Sequence, residues 1–188
     1  NANLSTPANN DNLHTINDYF SEQVAQQILE VHGKASVVTA NYMLANVDDL
    51  INFTKRVETL LDDNGIFVIQ TGYHPDQMRI KMFDYIYHEH FSYFTLNVLN
   101  KLMKKCGLRI LDAKKHNSKG GSIRVVASKH NSNRPSSTIL HAIMDEEKQA
   151  GVDKRETYLQ FSRIVTDQKC YVLDKMKSIK AKGQSILG

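Results

Sequence analysis

Two short apolar runs on either side of an amphipathic segment constrain the fold of this chain more than any other feature. Residues 35–41 and 66–70 are rich in β-branched residues and show no polar alternation, the pattern of strands buried on both faces. Between them, apolar residues at helical spacing predict a helix whose buried stripe is Val47, Leu50, Ile51, Val57, Leu60 and Leu61. Strand, helix and strand joined by short links form the unit of a parallel α/β sheet.

The rest of the chain extends this pattern. Apolar spacing predicts helices over residues 20–31 and 96–106, followed by strands over 108–113 and 121–128. The link between those two strands is too short for a crossover helix, so we expect them to pair antiparallel as a hairpin.

Two helices are predicted after the hairpin, over residues 137–150 and 153–182. Apolar residues on the second helix form one face that we expect to pack against another part of the protein or a partner: Tyr158, Phe161, Val165, Val172, Met176 and Ile179. The apolar run at residues 184–188 is interpreted as the start of another strand, and residues 1–12 as a loop. The predicted fold is therefore an α/β sheet that ends in an antiparallel hairpin and is followed by long helices.

Composition excludes several classes of protein. With 41% hydrophobic and 23% charged residues, the 188-residue chain is globular rather than disordered. Its longest apolar stretch, residues 66–69, is far shorter than the roughly 20 residues of a membrane-spanning helix. Two distant cysteines, Cys106 and Cys170, favour reduced thiols in the cytoplasm over a disulfide framework.

The charge balance favours anionic partners without identifying them. The formal net charge is +4 and the isoelectric point is about 9.0. The lysines are most simply interpreted as solvated faces. Nucleic-acid binding is disfavoured because no aromatic stacking motif alternates with these lysines. We therefore expect a small-molecule ligand, with neither a nucleic acid nor a membrane as partner.

The densest candidate chemistry lies in a segment without a clear period, residues 72–94. Six of the fifteen Phe and Tyr residues fall within residues 83–94 of this segment, around Tyr87-His88-Glu89-His90. The segment follows the carboxyl end of a predicted strand, where open α/β sheets bind ligands. A histidine beside a carboxylate suits a general base. Two alternatives stay open: polar loop residues satisfied by hydrogen bonds, and a His-x-His metal site, which lacks a third ligand at a suitable spacing.

Two further features each have two interpretations. Gly120-Gly121-Ser122 can let the backbone approach a ligand or simply start a hairpin. Asn46 can cap the helix that follows, with Asp48 and Asp49 in its first turn, or it can serve a catalytic role.

Two motifs carry a family resemblance. Residues 83–94, Phe-Asp-Tyr-Ile-Tyr-His-Glu-His-Phe-Ser-Tyr-Phe, and residues 119–125, Lys-Gly-Gly-Ser-Ile-Arg-Val, resemble the S-adenosylmethionine-dependent sugar C-methyltransferases that act on nucleotide-linked ketosugars. The resemblance covers nearly the whole chain. It implies the second half of a class I, Rossmann-like methyltransferase sheet over residues 1–130. It also implies a helical connection and the first strand of a C-terminal Rossmann-like domain over residues 131–188.

The same resemblance assigns site residues. It makes His90 the base that generates an enolate, Glu89 a partner that orients or polarises, and Tyr87 a hydrogen-bonding group near the ketosugar. It places cofactor contacts at Asp18, Ala40 and Asn41, and for want of a third ligand we expect no metal site in this chain. Substrate contacts are implied at Asn46, Tyr73, His88 and Arg124.

The chain departs from its relatives in ways that motivate other hypotheses. Many relatives have a histidine where Asn46 stands, and an acidic residue with a proline where Gln70-Thr71-Gly72-Tyr73 stands. The glycine-rich cofactor loop of the fold is also missing, because the sequence contains no Gly-x-Gly. We therefore expect the chain to be inactive alone. The alternatives are a methyltransferase-like protein that binds without catalysis and, less favoured, a His-x-His metalloenzyme. The sugar, the nucleotide and the oligomeric state are not specified by the sequence.

Overall fold

Four strands and six helices make up the part of the chain that the computed structural model describes, residues 14–187. In chain order they are α1 (Glu22–His32), β1 (Ala35–Asn41), α2 (Leu50–Leu60), β2 (Leu61–Gly72), α3 (His74–Arg79), α4 (Leu96–Lys105), β3 (Leu108–His116), β4 (Ser122–Lys129), α5 (Ile139–Ala150) and α6 (Arg155–Ala181). Short 3₁₀ turns occupy Leu44–Asn46 and Ser118–Gly120. The loop predicted over residues 1–12 lies outside the described residues.

The strands form one sheet in the order β1-β2-β4-β3. β1 and β2 are parallel, which confirms the predicted α/β unit, and β3 and β4 pair antiparallel as expected. β4 lies between β2 and β3 and runs antiparallel to both. The carboxyl ends of β1, β2 and β3 therefore meet the beginning of β4 at one edge of the sheet.

The hydrophobic core lies on one face of the sheet, under α2, α4 and α5. Phe67 and Ile69 are wholly buried, whereas Ile66 and Val68 between them are partly exposed. The prediction of strands buried on both faces is therefore wrong. In β1 only Ala40 is buried, because within the described residues β1 has one neighbouring strand and its outer face is uncovered.

The start of α2 corrects a second prediction. Asp49 caps this helix, with its carboxylate accepting a hydrogen bond of 3.0 Å from the amide of Asn52. Asn46 is not the cap, because it belongs to the preceding 3₁₀ turn and Val47 is extended. Leu61 is not part of the helix stripe either, since it is the first residue of β2.

The long helix α6 contacts the rest of the molecule near its beginning. Tyr158 donates a hydrogen bond of 2.8 Å to the carbonyl of Val152, and its ring stacks on His74 with centroids 5.9 Å apart. Within the described range no residue of α6 is buried, so its predicted packing face stays largely uncovered there.

Beyond α6, residues 184–187 have no regular structure and residue 188 is outside the described part. The division of the chain after residue 130 stays a prediction. Of the helices in residues 14–187, none combines the length and the apolar character needed to cross a membrane.

Candidate functional site

A cavity of about 440 Å³ opens at the sheet edge where β1 and β2 end. Its walls are the turn after β1, the end of β2, the turn before β4 and a segment that we call the aromatic loop, residues 82–93. The volume is in the range of small-molecule sites. The predicted residues Tyr87, Glu89, His90 and Asn46 all line this cavity.

His90 is held by both nitrogens of its ring. Nδ1 lies 3.2 Å from the carbonyl oxygen of Tyr85, and Nε2 lies 3.0 Å from the hydroxyl of Tyr87. A carbonyl oxygen can only accept, so Nδ1 carries the proton of the neutral imidazole. Nε2 is then the acceptor, and the Tyr87 hydroxyl donates to it. This arrangement presents a basic nitrogen at the cavity.

Aromatic rings fix the position of His90. Its ring centroid lies 4.2 Å from that of Tyr87 and 4.5 Å from that of Tyr85. Burial raises the pKa of Tyr85, so this phenol stays neutral at physiological pH. Tyr85 in turn rests on Gly72, where a Cβ atom would fall 2.0 Å from its hydroxyl oxygen. The last residue of β2, Gly72, must therefore lack a side chain if Tyr85 and the aromatic loop are to take up this position.

Three hydrogen bonds dock the aromatic loop on the turn after β1. The side-chain amide of Asn46 donates to the carbonyl of Glu89 at 3.0 Å. The carbonyl of Ala45 accepts from the amides of Phe91 and Ser92 at 2.8 and 3.3 Å. Asn46 thus positions the segment that carries His90, in place of the capping role that its sequence context suggested.

Tyr42 is a candidate that sequence reasoning missed. It follows β1 directly with a left-handed φ of 50°, and its hydroxyl is surrounded by Gln70, Ser118 and Ser122. The ammonium of Lys119 lies 4.0 Å from the centre of its ring. Partial burial opposes ionisation, but the hydrogen bonds of Ser118, Ser122 and Gln70 and the Lys119 charge outweigh it and lower the pKa of Tyr42. The available signal was its position after a predicted strand.

Arg124 acts on this group from outside the cavity. Its Nε and Nη2 atoms donate to Oε1 of Gln70 at 3.1 and 2.7 Å. Within residues 14–187 no carboxylate lies within 4.0 Å of its guanidinium nitrogens. Arg124 therefore orients Gln70, which itself reaches Tyr42.

The two glycines before β4 serve packing. Gly120 and Gly121 have φ values of 74° and 124°. A Cβ atom would fall 2.1 Å from the sulfur of Met82 at the first position and 2.6 Å from Cβ of Asp76 at the second. These contacts favour the interpretation in which the Gly-Gly-Ser motif serves the hairpin and its packing, and not the approach of a ligand to the backbone.

Other predicted site residues lie apart from the cavity. Tyr73 is buried and donates to Glu147 at 2.9 Å, which places it beside a second cavity of about 460 Å³ near α5 and α6. Its pKa is raised by burial and by the nearby Glu147 carboxylate. His88 is exposed and does not line the cavity. Asp18 is exposed before α1, where its carboxylate accepts from the amide of Tyr19.

Metal binding finds no geometric support in the part of the chain that is described. Across residues 14–187, no three His, Cys, Asp or Glu side chains are grouped so that they could hold a metal ion.

Two family models match the chain in succession. One, described as a methyltransferase domain, matches residues 3–113, which is more than half of the chain. The other, described as the C-methyltransferase C-terminal domain, matches residues 117–188. A relative, the C-methyltransferase NovU of Streptomyces niveus, is 28% identical over 186 residues. The match covers 99% of this chain and 44% of that protein, so the chain spans less than half of the curated relative's length.

Solved structures also show local similarity. The mitomycin 7-O-methyltransferase MmcR matches 68% of this chain and 37% of its own, with 13% identity and a TM-score of 0.49. LepI in complex with SAM matches 52% of this chain and 27% of its own, with 15% identity and a TM-score of 0.44.

Proposed function

This chain belongs to the methyltransferase domain family, and we propose that its protein transfers a methyl group from S-adenosylmethionine to a carbon atom beside a ketone. The family and the C-methyltransferase relative support transfer to carbon. The observation that carries the proposal is the His90 ring, which lines a cavity of small-molecule size with Nδ1 on the Tyr85 carbonyl and Nε2 beside the Tyr87 hydroxyl.

Methylation of such a carbon requires a base. A carbon next to a ketone is acidic enough for a positioned base to remove its proton. In the proposed step the C–H bond breaks, the proton passes to Nε2 of His90, and the electron pair delocalises into an enolate. S-adenosylmethionine supplies an electrophilic methyl group on a sulfonium, which the enolate carbon attacks. As the new carbon–carbon bond forms, the bond between sulfur and the methyl group would break and leave its electron pair on the sulfur.

Tyr87 and Glu89 complete the base. The Tyr87 hydroxyl donates to Nε2 of His90 in the present structure. If a ketone oxygen of the substrate accepted the hydrogen bond of this hydroxyl instead, the lone pair on Nε2 of His90 would become free. It could then take the proton from the carbon beside the ketone. Glu89 lines the same cavity, and we propose that it orients or polarises the reacting groups there.

Asp18, Ala40 and Asn41 are the residues that we assign to the cofactor. Ala40 and Asn41 end β1 at the sheet edge that bears the cavity, where open α/β sheets bind ligands. Asp18 is exposed, and carboxylate oxygens accept hydrogen bonds from hydroxyl and amine donors of the kind that a nucleoside carries. When bound, the cofactor would contact these residues.

We further propose a nucleotide-linked ketosugar as substrate and the cytoplasm as location. The net charge of +4 favours an anionic substrate of this kind. Both cysteines are free, Cys106 buried and Cys170 exposed, which suits a reducing compartment.

The test replaces His90 with asparagine in the protein expressed from its complete coding sequence. Methyl transfer from labelled S-adenosylmethionine to a panel of nucleotide-linked keto-deoxysugars should fall at least about 100-fold, because the base is lost. Cofactor binding, measured by calorimetry, should be retained. His141→Asn serves as control, since this histidine is exposed on α5. Equal activity of His90→Asn and the unmodified protein contradicts the assignment of the base.

A non-catalytic binding protein is the second candidate. Amide side chains, Asn46 and Gln70, stand at two positions of the site, and an amide cannot carry a titrating proton. Cofactor binding without methyl transfer to a panel of ketosugars would favour this candidate. Loss of activity on chelation, restored by a divalent metal, would favour a metalloenzyme instead. The 188 residues alone are predicted to give no turnover.

A further inference from the structure

The cavity that His90 lines also carries a positive charge over a phenol ring. Tyr42 and Lys119 both line the cavity with His90. The Lys119 ammonium lies 4.0 Å from the centre of the Tyr42 ring, a cation–π distance. Among the residues described, no carboxylate lies within 4.0 Å of this ammonium. The charge is therefore available to an anionic oxygen in the cavity.

The orientation of Gln70 makes the Tyr42 oxygen an acceptor. Arg124 can only donate, and it donates twice to Oε1 of Gln70. The Gln70 amide nitrogen must then face Tyr42, to which it donates at 2.9 Å. This interaction leaves the single Tyr42 proton free for another partner.

A ring of three hydroxyl groups shows where that proton points. Tyr42 donates to Ser122 at 3.2 Å, while Ser118 lies 2.8 Å from Tyr42 and 2.7 Å from Ser122. Each hydroxyl has one proton to donate, so the three hydrogen bonds can form together only if Ser118 donates to Tyr42 and Ser122 donates to Ser118. The Tyr42 proton then occupies the longest of the three hydrogen bonds. It is the one most readily redirected to a ligand.

The backbone is shaped to present these two side chains. Tyr42 and Lys119 have left-handed φ values of 50° and 52°, which side-chain-bearing residues rarely adopt. The Tyr42 amide is held by the carbonyl of Gln70 at 2.7 Å. Backbone strain of this kind concentrates at functional sites.

We propose that Tyr42 donates its hydroxyl proton in a hydrogen bond to the ketone oxygen of the substrate, and that Lys119 beside it stabilises the enolate formed when His90 takes the carbon-bound proton. This inference rests on the proposed function. The C–H bond breaks, its electron pair moves toward the ketone oxygen, and the phenol O–H bond stays intact. When the carbon bonds the methyl group, the C=O bond forms again.

The first test measures proton exchange separately from methyl transfer. Incubation of the complete protein with the same panel of nucleotide-linked keto-deoxysugars in D₂O should exchange the proton beside the ketone in at least one of them. Tyr42→Phe should slow both exchange and kcat about 100-fold and change KM little, because one donor to the developing oxyanion is lost. Lys119→Met should slow both about tenfold. The controls are Tyr171→Phe and Lys177→Met on α6, far along the chain from the site.

The second test does not require turnover. The tyrosinate absorbance is measured as a function of pH for the unmodified protein and for Tyr42→Phe. The difference between the two curves is the titration of the Tyr42 phenol. This titration should lie below the ordinary value of 10.0 and should move to higher pH in Ser118→Ala, because one hydrogen bond to Tyr42 is lost. Ser118→Ala keeps the phenol, so its titration tests the hydrogen-bond network in a chain that retains Tyr42.

Each outcome separates this inference from the proposed function. An active protein whose Tyr42→Phe variant exchanges and methylates at the full rate overturns this inference alone. A Tyr42 phenol that titrates at or above its ordinary value overturns the hydrogen-bond network on which the inference stands. A protein with cofactor bound that neither exchanges nor methylates overturns the proposed function, and this inference with it.

Discussion

Asn46 illustrates how one side chain can serve a site without reacting in it. Its amide donates to the main chain of Glu89, so it holds the aromatic loop against the turn after β1. Two main-chain hydrogen bonds to Ala45 support the same contact. Since the loop carries His90, the geometry of the base depends on this docking.

Replacement of Asn46 with alanine should therefore reduce kcat severalfold while cofactor affinity stays unchanged. One of the three docking hydrogen bonds is lost, and a hydrogen bond of this type contributes about 1 kcal/mol. Steady-state kinetics and calorimetry on the complete protein check both expectations. Asn133→Ala, in an exposed loop, is the control. A full-rate Asn46→Ala variant would show that the loop docks without this amide.

At the scale of elements, a buried carboxylate joins two helices to the sheet. Glu147 lies on α5 and is 2% exposed. Its two oxygens accept from the amides of Leu96 and Asn97 and from the side chain of Asn97, at the beginning of α4. The Tyr73 hydroxyl at the end of β2 also donates to it. A negative charge at this end of a helix is favoured by the helix dipole.

Glu147→Ala should lower the free energy of unfolding by about 3 kcal/mol, because it leaves buried N–H donors without an acceptor. Denaturant titration measures this loss. The adjacent Glu146 offers a matched control, since it pairs with Lys115 at the surface and its side chain is 59% exposed. Glu146→Ala should cost less than about 1 kcal/mol. Similar losses in the two variants would contradict the capping role of Glu147.

At the scale of the whole molecule, His74 links α6 to the body of the sheet domain. Its ring lies between Tyr93 of the aromatic loop and Tyr158 of α6, with centroids 5.4 and 5.9 Å away. Burial lowers the pKa of His74 below its ordinary value of 6.5. The folded chain therefore holds this imidazole neutral at pH values where the unfolded chain has already protonated it.

Stability should consequently fall as the pH is lowered through 6.5 and below, because there the unfolded state binds a proton that the folded state does not. The slope contributed by one group is at most about 1.4 kcal/mol per pH unit. Thermal melts of His74→Gln should show a smaller loss on acidification than melts of the unmodified protein. His130→Gln, at an exposed position, should leave the slope unchanged. Equal slopes in His74→Gln and the unmodified protein would contradict this linkage.

Local patterns were enough to predict most elements. The period of the apolar residues located α1, α2, α4, α5 and α6, and the β-rich runs located all four strands. The short link after β3 predicted its antiparallel pairing with β4. These features depend on neighbours within a few residues, and the sequence records such neighbours directly. The six-residue α3 was missed because it is too short to show a period.

Contacts between distant segments were decided by the tertiary structure. The sequence placed Tyr87, Glu89 and His90 together because they are adjacent along the chain, and it associated Asn46 with them only through a resemblance. It gave no reason to bring Tyr42 near Ser118, which lies 76 residues away, or to separate Tyr73 from the cavity. That assembly required β4 to insert between β2 and β3, which brings the turn before β4 to the ends of β1 and β2. The sequence by itself determined the base candidate, whereas the fold decided which hydroxyl and which ammonium line the same cavity.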